Sequence, residues 1–426
     1  MPTNLNMTYP DMFRVRQVFD VPRIEDVEAA VEQQLASIQE DVKIKPGARI
    51  AITAGSRGIA HIDGILKVLV RFLREHSAEP FLIPAMGGHG GGTVQGQLQV
   101  LKSLKITEES MGAPILATMD CVEIGRSSNG HPILVDRYAA AADGIVVVNR
   151  VKPHTAFDGP IQSGLLKMMA IGLGKHQGCR QVHRQAVNYG YRNIIPEIGR
   201  AVLGKLPILF GLAIVENTYD ETAIIKALLP AQLLEEEKKL LKKARQLMAR
   251  LPFDRIDLLI IDRIGKNISG SGLDTNVIGR IMFIGEKEPE ERKITRIVAL
   301  DLTDETHGNA MGIGLADYTT QRLVSKIDFS ATFSNAITAM TPEKARVPIT
   351  LETDQAAVDA ALRTIGAVES HQARIIHIKN TLELAELDIS EGLFETMGGR
   401  QDLRCLRELG PLHFDSQGHL PFLADI

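Results

Sequence analysis

Three short apolar runs in the first half of the chain each end in a loop carrying glycine or a residue able to do chemistry, and this pattern constrains the fold most. RIAITA at residues 49–54 runs into Gly55-Ser56-Arg57-Gly58, and PFLIP at residues 80–84 leads to Gly87-Gly88-His89-Gly90-Gly91-Gly92. GIVVVN at residues 144–149 leads to Lys152-Pro153-His154-Thr155. Continuous apolar runs of this kind read as strands buried on both faces, the habit of parallel sheets covered by helices. Apolar residues at helical spacing follow at residues 62–73 and 94–104. The alternation predicts an α/β chain whose first domain has a mostly parallel, Rossmann-like sheet. The C-terminal strand ends would deliver Arg57, His89 and His154 to one ligand crevice.

Further along, residues 163–173 read as a helix carrying Lys167, and residues 175–187 carry His183. A strand is expected at residues 207–215. Residues 231–251 form an amphipathic stretch with Leu233, Leu234, Leu240, Leu241 and Leu247 on its apolar side, and its many Glu and Lys read as a solvated face. Pro252 ends it and a new strand begins at residues 256–262, which places a domain boundary near Phe253. The expected domains are residues 1–253, holding the site, and residues 254–426. The second repeats the alternation, with strands at residues 294–302 and 374–379 and helices at residues 321–327 and 355–365.

A length of 426 residues with 44% apolar residues fits two such domains. A net charge of −4 and only 4% aromatic residues speak against nucleic-acid binding, which needs a basic face or stacking platforms. Cys121, Cys179 and Cys405 are far apart and in no CxxC pair, so neither a disulfide framework nor a thiolate zinc site is expected, and a reducing, cytoplasmic location is. Neither a basic-then-apolar leader nor a run of about 20 apolar residues is present, so no membrane association is expected. Oligomeric state leaves no readable mark.

Most histidines in soluble chains are surface or hydrogen-bonded residues. His89 stands out because the glycines around it let backbone approach a ligand closely, and His154 because it follows a buried strand. Lys167 is a possible covalent anchor, and His183 a possible metal ligand. The cluster at residues 87–92 has neither the Walker lysine with Ser/Thr nor a GxGxxG opening a helix. A phosphate-binding turn of an ordinary nucleotide enzyme is therefore a weaker reading. A non-catalytic metabolite binder is another, with the histidines as polar lining.

Taken in order, the segments at Thr53 to Arg57, Gly87-Gly88-His89, Val151-Lys152-Pro153-His154, Gly164-Leu165-Leu166-Lys167, and His183 sixteen residues beyond the lysine resemble one family. It is that of the nickel-pincer-nucleotide-dependent lactate racemases and related 2-hydroxyacid racemases and epimerases. The resemblance covers most of the chain and is strongest over residues 50–184.

The resemblance implies an isomerase of two α/β domains with its active site in the interdomain cleft. It implies that Lys167 carries the pincer nucleotide as a thioamide, that His183 ligates its nickel, and that His89 and His154 are the acid/base pair. Ser56, Arg57, Gly87 and Gly88 would line the cofactor, with Arg57 at the cofactor or at the substrate carboxylate. Enzymes of cofactor biosynthesis would be partners, and a small 2-hydroxyacid the substrate. Ala54 stands where the family has an aspartate, and the loop between His154 and Lys167 is longer. Gly279 and Met282 replace a glutamine and a lysine, so Arg280 and Lys266 become the expected contacts for the substrate carboxylate. The reaction class is expected to hold while the substrate side chain stays open.

Overall fold

The structure is a computed structural model that describes residues 7–56, 58–290 and 292–423. The chain divides into two compact units, Val21–Met248 and a second comprising Ala249–Ile426 together with Met1–Asp20.

In the first unit the described residues form a five-stranded sheet in the order Glu79–Pro84, Arg49–Ala54, Gly144–Arg150, Ile208–Glu216, Thr222–Leu228. The first four strands are parallel and the last is antiparallel. The central strands are apolar throughout because helices cover both faces: Ile50, Ile52, Val146 and Val148 share one core with Ile65, Leu66, Leu69 and Leu73 of the helix Ile62–Glu75. From Arg49–Ala54 the chain crosses to Glu79–Pro84 on one side, and the later strand Gly144–Arg150 pairs on the other. This is a topological switch, where loops at the C-terminal strand ends diverge and leave a crevice.

The expected strands and the helices near residues 62–73 and 94–104 are present with small shifts at their ends, the latter as Val94–Ser103 capped by the Thr93 hydroxyl. The helix expected over residues 163–173 is instead a short α-turn, Leu165–Lys167, continued by a π-helical segment, Met168–Gly172. Wide turns of this type recur at functional sites. The amphipathic stretch forms the helix Leu233–Leu247, but its charged face is not wholly solvated, since Glu237 is fully buried.

In the second unit eight strands of the described residues form one sheet in the order Ile349–Leu351, Tyr318–Thr320, Lys293–Leu302, Arg255–Ile264, Ile375–Ile378, Glu386–Ser390, Asp11–Gln17, Leu403–Pro411. Asp11–Gln17 pairs on both sides with C-terminal strands, which corrects the assignment of the whole N-terminus to the first domain. The buried Arg14–Asp388 ion pair, at 2.7 Å, holds it there. No helix among the described residues is long and apolar enough to cross a membrane.

Candidate active site

The site is built at the strand ends of the Val21–Met248 unit. Ser56, just beyond Arg49–Ala54, hydrogen-bonds through its hydroxyl to Nδ1 of His89, beyond Glu79–Pro84. Two strand-end loops therefore meet, and the ring of His89 is oriented by one of them. Arg57 lies outside the described residues.

The Lys167 segment closes against both loops. The Gly87 N–H donates to the Gly172 carbonyl at 3.3 Å. A Cβ on Gly55 would stand 3.3 Å from the Met168 methyl, and one on Gly172 would stand 2.7 Å from the Ala85 carbonyl oxygen. A side chain at Gly172 would push the two segments apart, so glycine is required by close approach.

The helix Lys175–Tyr189 supplies the next wall. His176, Cys179 and His183 recur at helical spacing, and the first two lie against the glycine loop: a Cβ on Gly88 would be 3.1 Å from His176 Nδ1, and one on Gly87 would be 3.3 Å from Cys179 Sγ. Burial pushes the Cys179 thiol up, opposed by the Gly88 N–H and by the charge of Lys167.

Burial pushes His183 down to about 4, with the Lys167 charge acting in the same direction. His183 is therefore a neutral imidazole at neutral pH. Its Nδ1 is hydrogen-bonded to the Tyr191 hydroxyl. An imidazole that donates from Nδ1 to the phenol oxygen presents an unprotonated Nε2, the form a metal ion takes.

Tyr191 also connects His154 to this group. The Tyr191 and His154 ring centroids are 6.2 Å apart, and Phe157 lies 4.6 Å from His154 and 5.0 Å from Tyr191. The loop of His154 is fixed locally, its N–H donating to Gln162 Oε1 at 2.6 Å and its Nδ1 accepting from the Ala156 N–H at 3.0 Å. His89 is thus tied to Ser56, Lys167 to His183 and Cys179 through its charge, and His183 to His154 through Tyr191.

The start of the Lys167 segment is held from beneath. Asn149 Nδ2 donates to the Gly164 carbonyl at 2.7 Å, and Glu237 Oε2 accepts from the Leu166 N–H at 3.0 Å. Burial pushes the Glu237 carboxyl up to about 8, countered by the N–H groups of Leu166 and Leu165.

Arg280 and Lys266, expected at the substrate carboxylate, belong to the other unit. Arg280 donates to Asp317 at 2.8 Å and to the carbonyls of Leu315, Ile294 and Thr295, so both terminal nitrogens of its guanidinium are engaged in holding that unit together. Asp317 is the carboxylate partner of Arg280 in this structure. Lys266 Nζ donates to the Gly270 carbonyl. A cavity of about 60 Å³ in that unit is lined by His377 and Asp388, which are already paired with Asp262 at 2.5 Å and Arg14 at 2.7 Å.

Sequence reasoning missed Tyr191, Gln97, Lys175, His176 and Glu237. For His176 a signal existed, since it stands seven residues before His183 on the same helix. For Tyr191 none did, because its role comes from the packing of two successive helices.

Among the described residues no group of three or more His, Cys, Asp or Glu is placed to hold a metal ion. A metal whose other donors come from an organic cofactor needs only one imidazole, and the neutral, Tyr-oriented His183 beside the charge of Lys167 fits that requirement.

Residues 7–193 match the lactate racemase N-terminal domain. Among solved structures, the lactate racemase apoprotein from Thermoanaerobacterium thermosaccharolyticum is similar with a TM-score of 0.53 at 13% identity, over 87% of this chain and 98% of that one. A protein from Thermotoga maritima is similar with a TM-score of 0.50 at 16% identity, over 75% of this chain and 82% of that one. No curated protein matches. At these identities the structural likeness speaks for the fold, and the match over residues 7–193 is to that domain alone. Residues 7–193 of the chain are thus similar to a lactate racemase N-terminal domain.

Proposed function

We propose that the protein is a racemase or epimerase of 2-hydroxyacids working with a nickel-pincer nucleotide tethered at Lys167. The observation that carries this reading is the His183 imidazole, carried by the helix that directly follows the Lys167 segment and hydrogen-bonded to Tyr191. A tether and a single nitrogen ligand are what such a cofactor asks of its protein.

Lys167 would hold the cofactor through its amine and His183 would ligate the nickel. When bound, the group supplies a reversible hydride acceptor, which no protein side chain provides. The chain's own residues handle the proton. His89 and His154 would each take the substrate hydroxyl proton from one enantiomer and return it to form the other, a task suited to imidazole at neutral pH. Ser56, bonded to Nδ1 of His89, would fix which ring nitrogen is offered to the substrate. Gly87 and Gly88 let the loop bearing His89 pack closely on Cys179 and His176 of the helix bearing His183.

The test is to coexpress the chain with pincer-biosynthesis enzymes in the presence of nickel, then measure intact mass and interconversion of D- and L-2-hydroxyacids. The panel should include lactate, malate, sugar acids and larger aliphatic and aromatic acids. A covalent adduct on Lys167 that Lys167→Arg abolishes, together with interconversion of one of these acids, is the expected outcome. An adduct of equal mass on Lys167→Arg would refute the tether, since guanidinium is a poor nucleophile.

A further inference from the structure

Lys175 is fully buried, and so are Gln97 and Asp136. An ammonium ion withdrawn from water costs several kcal/mol unless it is paired and hydrogen-bonded. Here Nζ donates to the Pro84 carbonyl at 2.6 Å and to Gln97 Oε1 at 3.1 Å, and Asp136 Oδ2 lies 3.2 Å away. Burial pushes the Lys175 ammonium down and the Asp136 carboxyl up, and each group pulls the other back. Lys175 also adopts a left-handed backbone conformation, φ 51°, unfavourable for a residue with a side chain. Such a residue persists only where its surroundings require it.

Gln97 shows where the network leads. Its Nε2 donates to the Gly87 carbonyl at 2.9 Å and to the His89 carbonyl at 3.3 Å. An amide has one accepting and one donating end. With two carbonyls on one side and an ammonium on the other, only one of its two flipped orientations satisfies every partner. The Lys175 charge therefore selects the orientation of Gln97 that clamps the loop. Pro84, the other acceptor, is the last residue of the strand from which that loop departs.

We propose that Lys175 is a positioning residue that, through Gln97, fixes the loop bearing His89 and locks it to the helix bearing His183. This deepens the proposed function, resting on His89 as an acid/base group, and its geometric part can be tested without activity. Stability alone does not account for the arrangement, because a buried ion pair replaced by apolar residues of similar volume is often no less stable.

The experiment uses two variants of the full chain. Gln97→Met removes the clamp while Lys175 and Asp136 remain paired. Lys175→Met/Asp136→Asn removes both charges without stranding either. Hydrogen exchange should rise about tenfold or more at the amides of Gly87, His89, Gly92 and Thr93, which are hydrogen-bonded in the wild-type loop. Exchange in the strands Gly144–Arg150 and Ile208–Glu216 should be unchanged. In the cofactor-loaded protein kcat should fall by up to about 100-fold, the scale of a misplacement near 1 Å, with KM preserved.

Loop exchange equal to wild type in folded Gln97→Met would overturn the proposal, as would a rise spread evenly over the unit. If the double variant fails to fold, Gln97→Met decides alone. If loop exchange rises but the loaded wild type interconverts no 2-hydroxyacid, Lys175 still positions the loop and the racemase reading falls. If the wild type is active and loop exchange is unaffected, the racemase reading stands and the role of Lys175 falls.

Discussion

Ser56 and His89, thirty-three residues apart in sequence, are joined through the serine hydroxyl and the imidazole Nδ1. The bond sets the ring's rotation and engages its Nδ1. Ser56→Ala should leave the fold and the cofactor adduct in place but lower kcat by about tenfold, the lower end of losses seen when a partner that orients a functional imidazole is removed. The check is kcat and KM on the best substrate. An unchanged kcat would mean that the ring is oriented from elsewhere.

The three histidines should separate by metal content. His183→Ala removes the proposed ligand and should lower nickel occupancy, whereas His89→Ala and His154→Ala should keep the metal while losing roughly two to four orders of magnitude in rate. Elemental analysis alongside turnover distinguishes them. Full nickel occupancy in His183→Ala, or near-normal turnover in both other variants, would contradict the assigned roles.

His183 also predicts a pH dependence. Its native pKa, near 4, lies below the ordinary value of 6.5, so between these values the unfolded chain binds more protons than the native one. Stability from this group is complete above about pH 6.5 and is lost as the pH falls toward 4. Denaturant unfolding at pH 7 and pH 5 should show a smaller difference in His183→Gln than in wild type. An identical difference in the two proteins would show that the imidazole titrates normally.

The sheet strands of the first unit were legible because their apolar runs are continuous, as in Gly144–Arg150, where burial on both faces leaves no polar alternation to confuse. Asp11–Gln17 was not legible. Its sequence DMFRVRQ places Arg14 inside, and only Asp388, far away in the chain, makes that burial tolerable. The site divided in the same way. His89, His154, Lys167 and His183 stand in recognisable local patterns, while Tyr191 and Gln97 act through partners that only folding brings close. The partner of Arg280 was equally illegible, since Asp317 is thirty-seven residues away on another segment.

Glu237 carries the remaining prediction, since it lies in a charged stretch and yet reaches the start of the Lys167 segment. Its carboxyl accepts from the Leu166 N–H, and a Cβ on Gly164 would come within 2.3 Å of Oε1. With a native pKa near 8 against an ordinary value of 4.5, the native state retains a proton that the unfolded chain has lost between these values. This contribution is complete below about pH 4.5 and declines as the pH rises through 8. Glu237→Gln keeps an acceptor for the N–H while removing the titration, so it should be close to wild type at pH 5 and exceed it at pH 9 by several kcal/mol. Glu237→Ala strands that N–H and opens a cavity, and should cost roughly 2–4 kcal/mol at pH 5 and less at pH 9, because it too removes the titration. Gly164→Ala should be destabilising by steric conflict, and much of its effect should vanish when combined with Glu237→Asp, whose carboxylate is one methylene shorter. Additive losses in that double variant would show that Glu237 and Gly164 are not coupled as their contact requires.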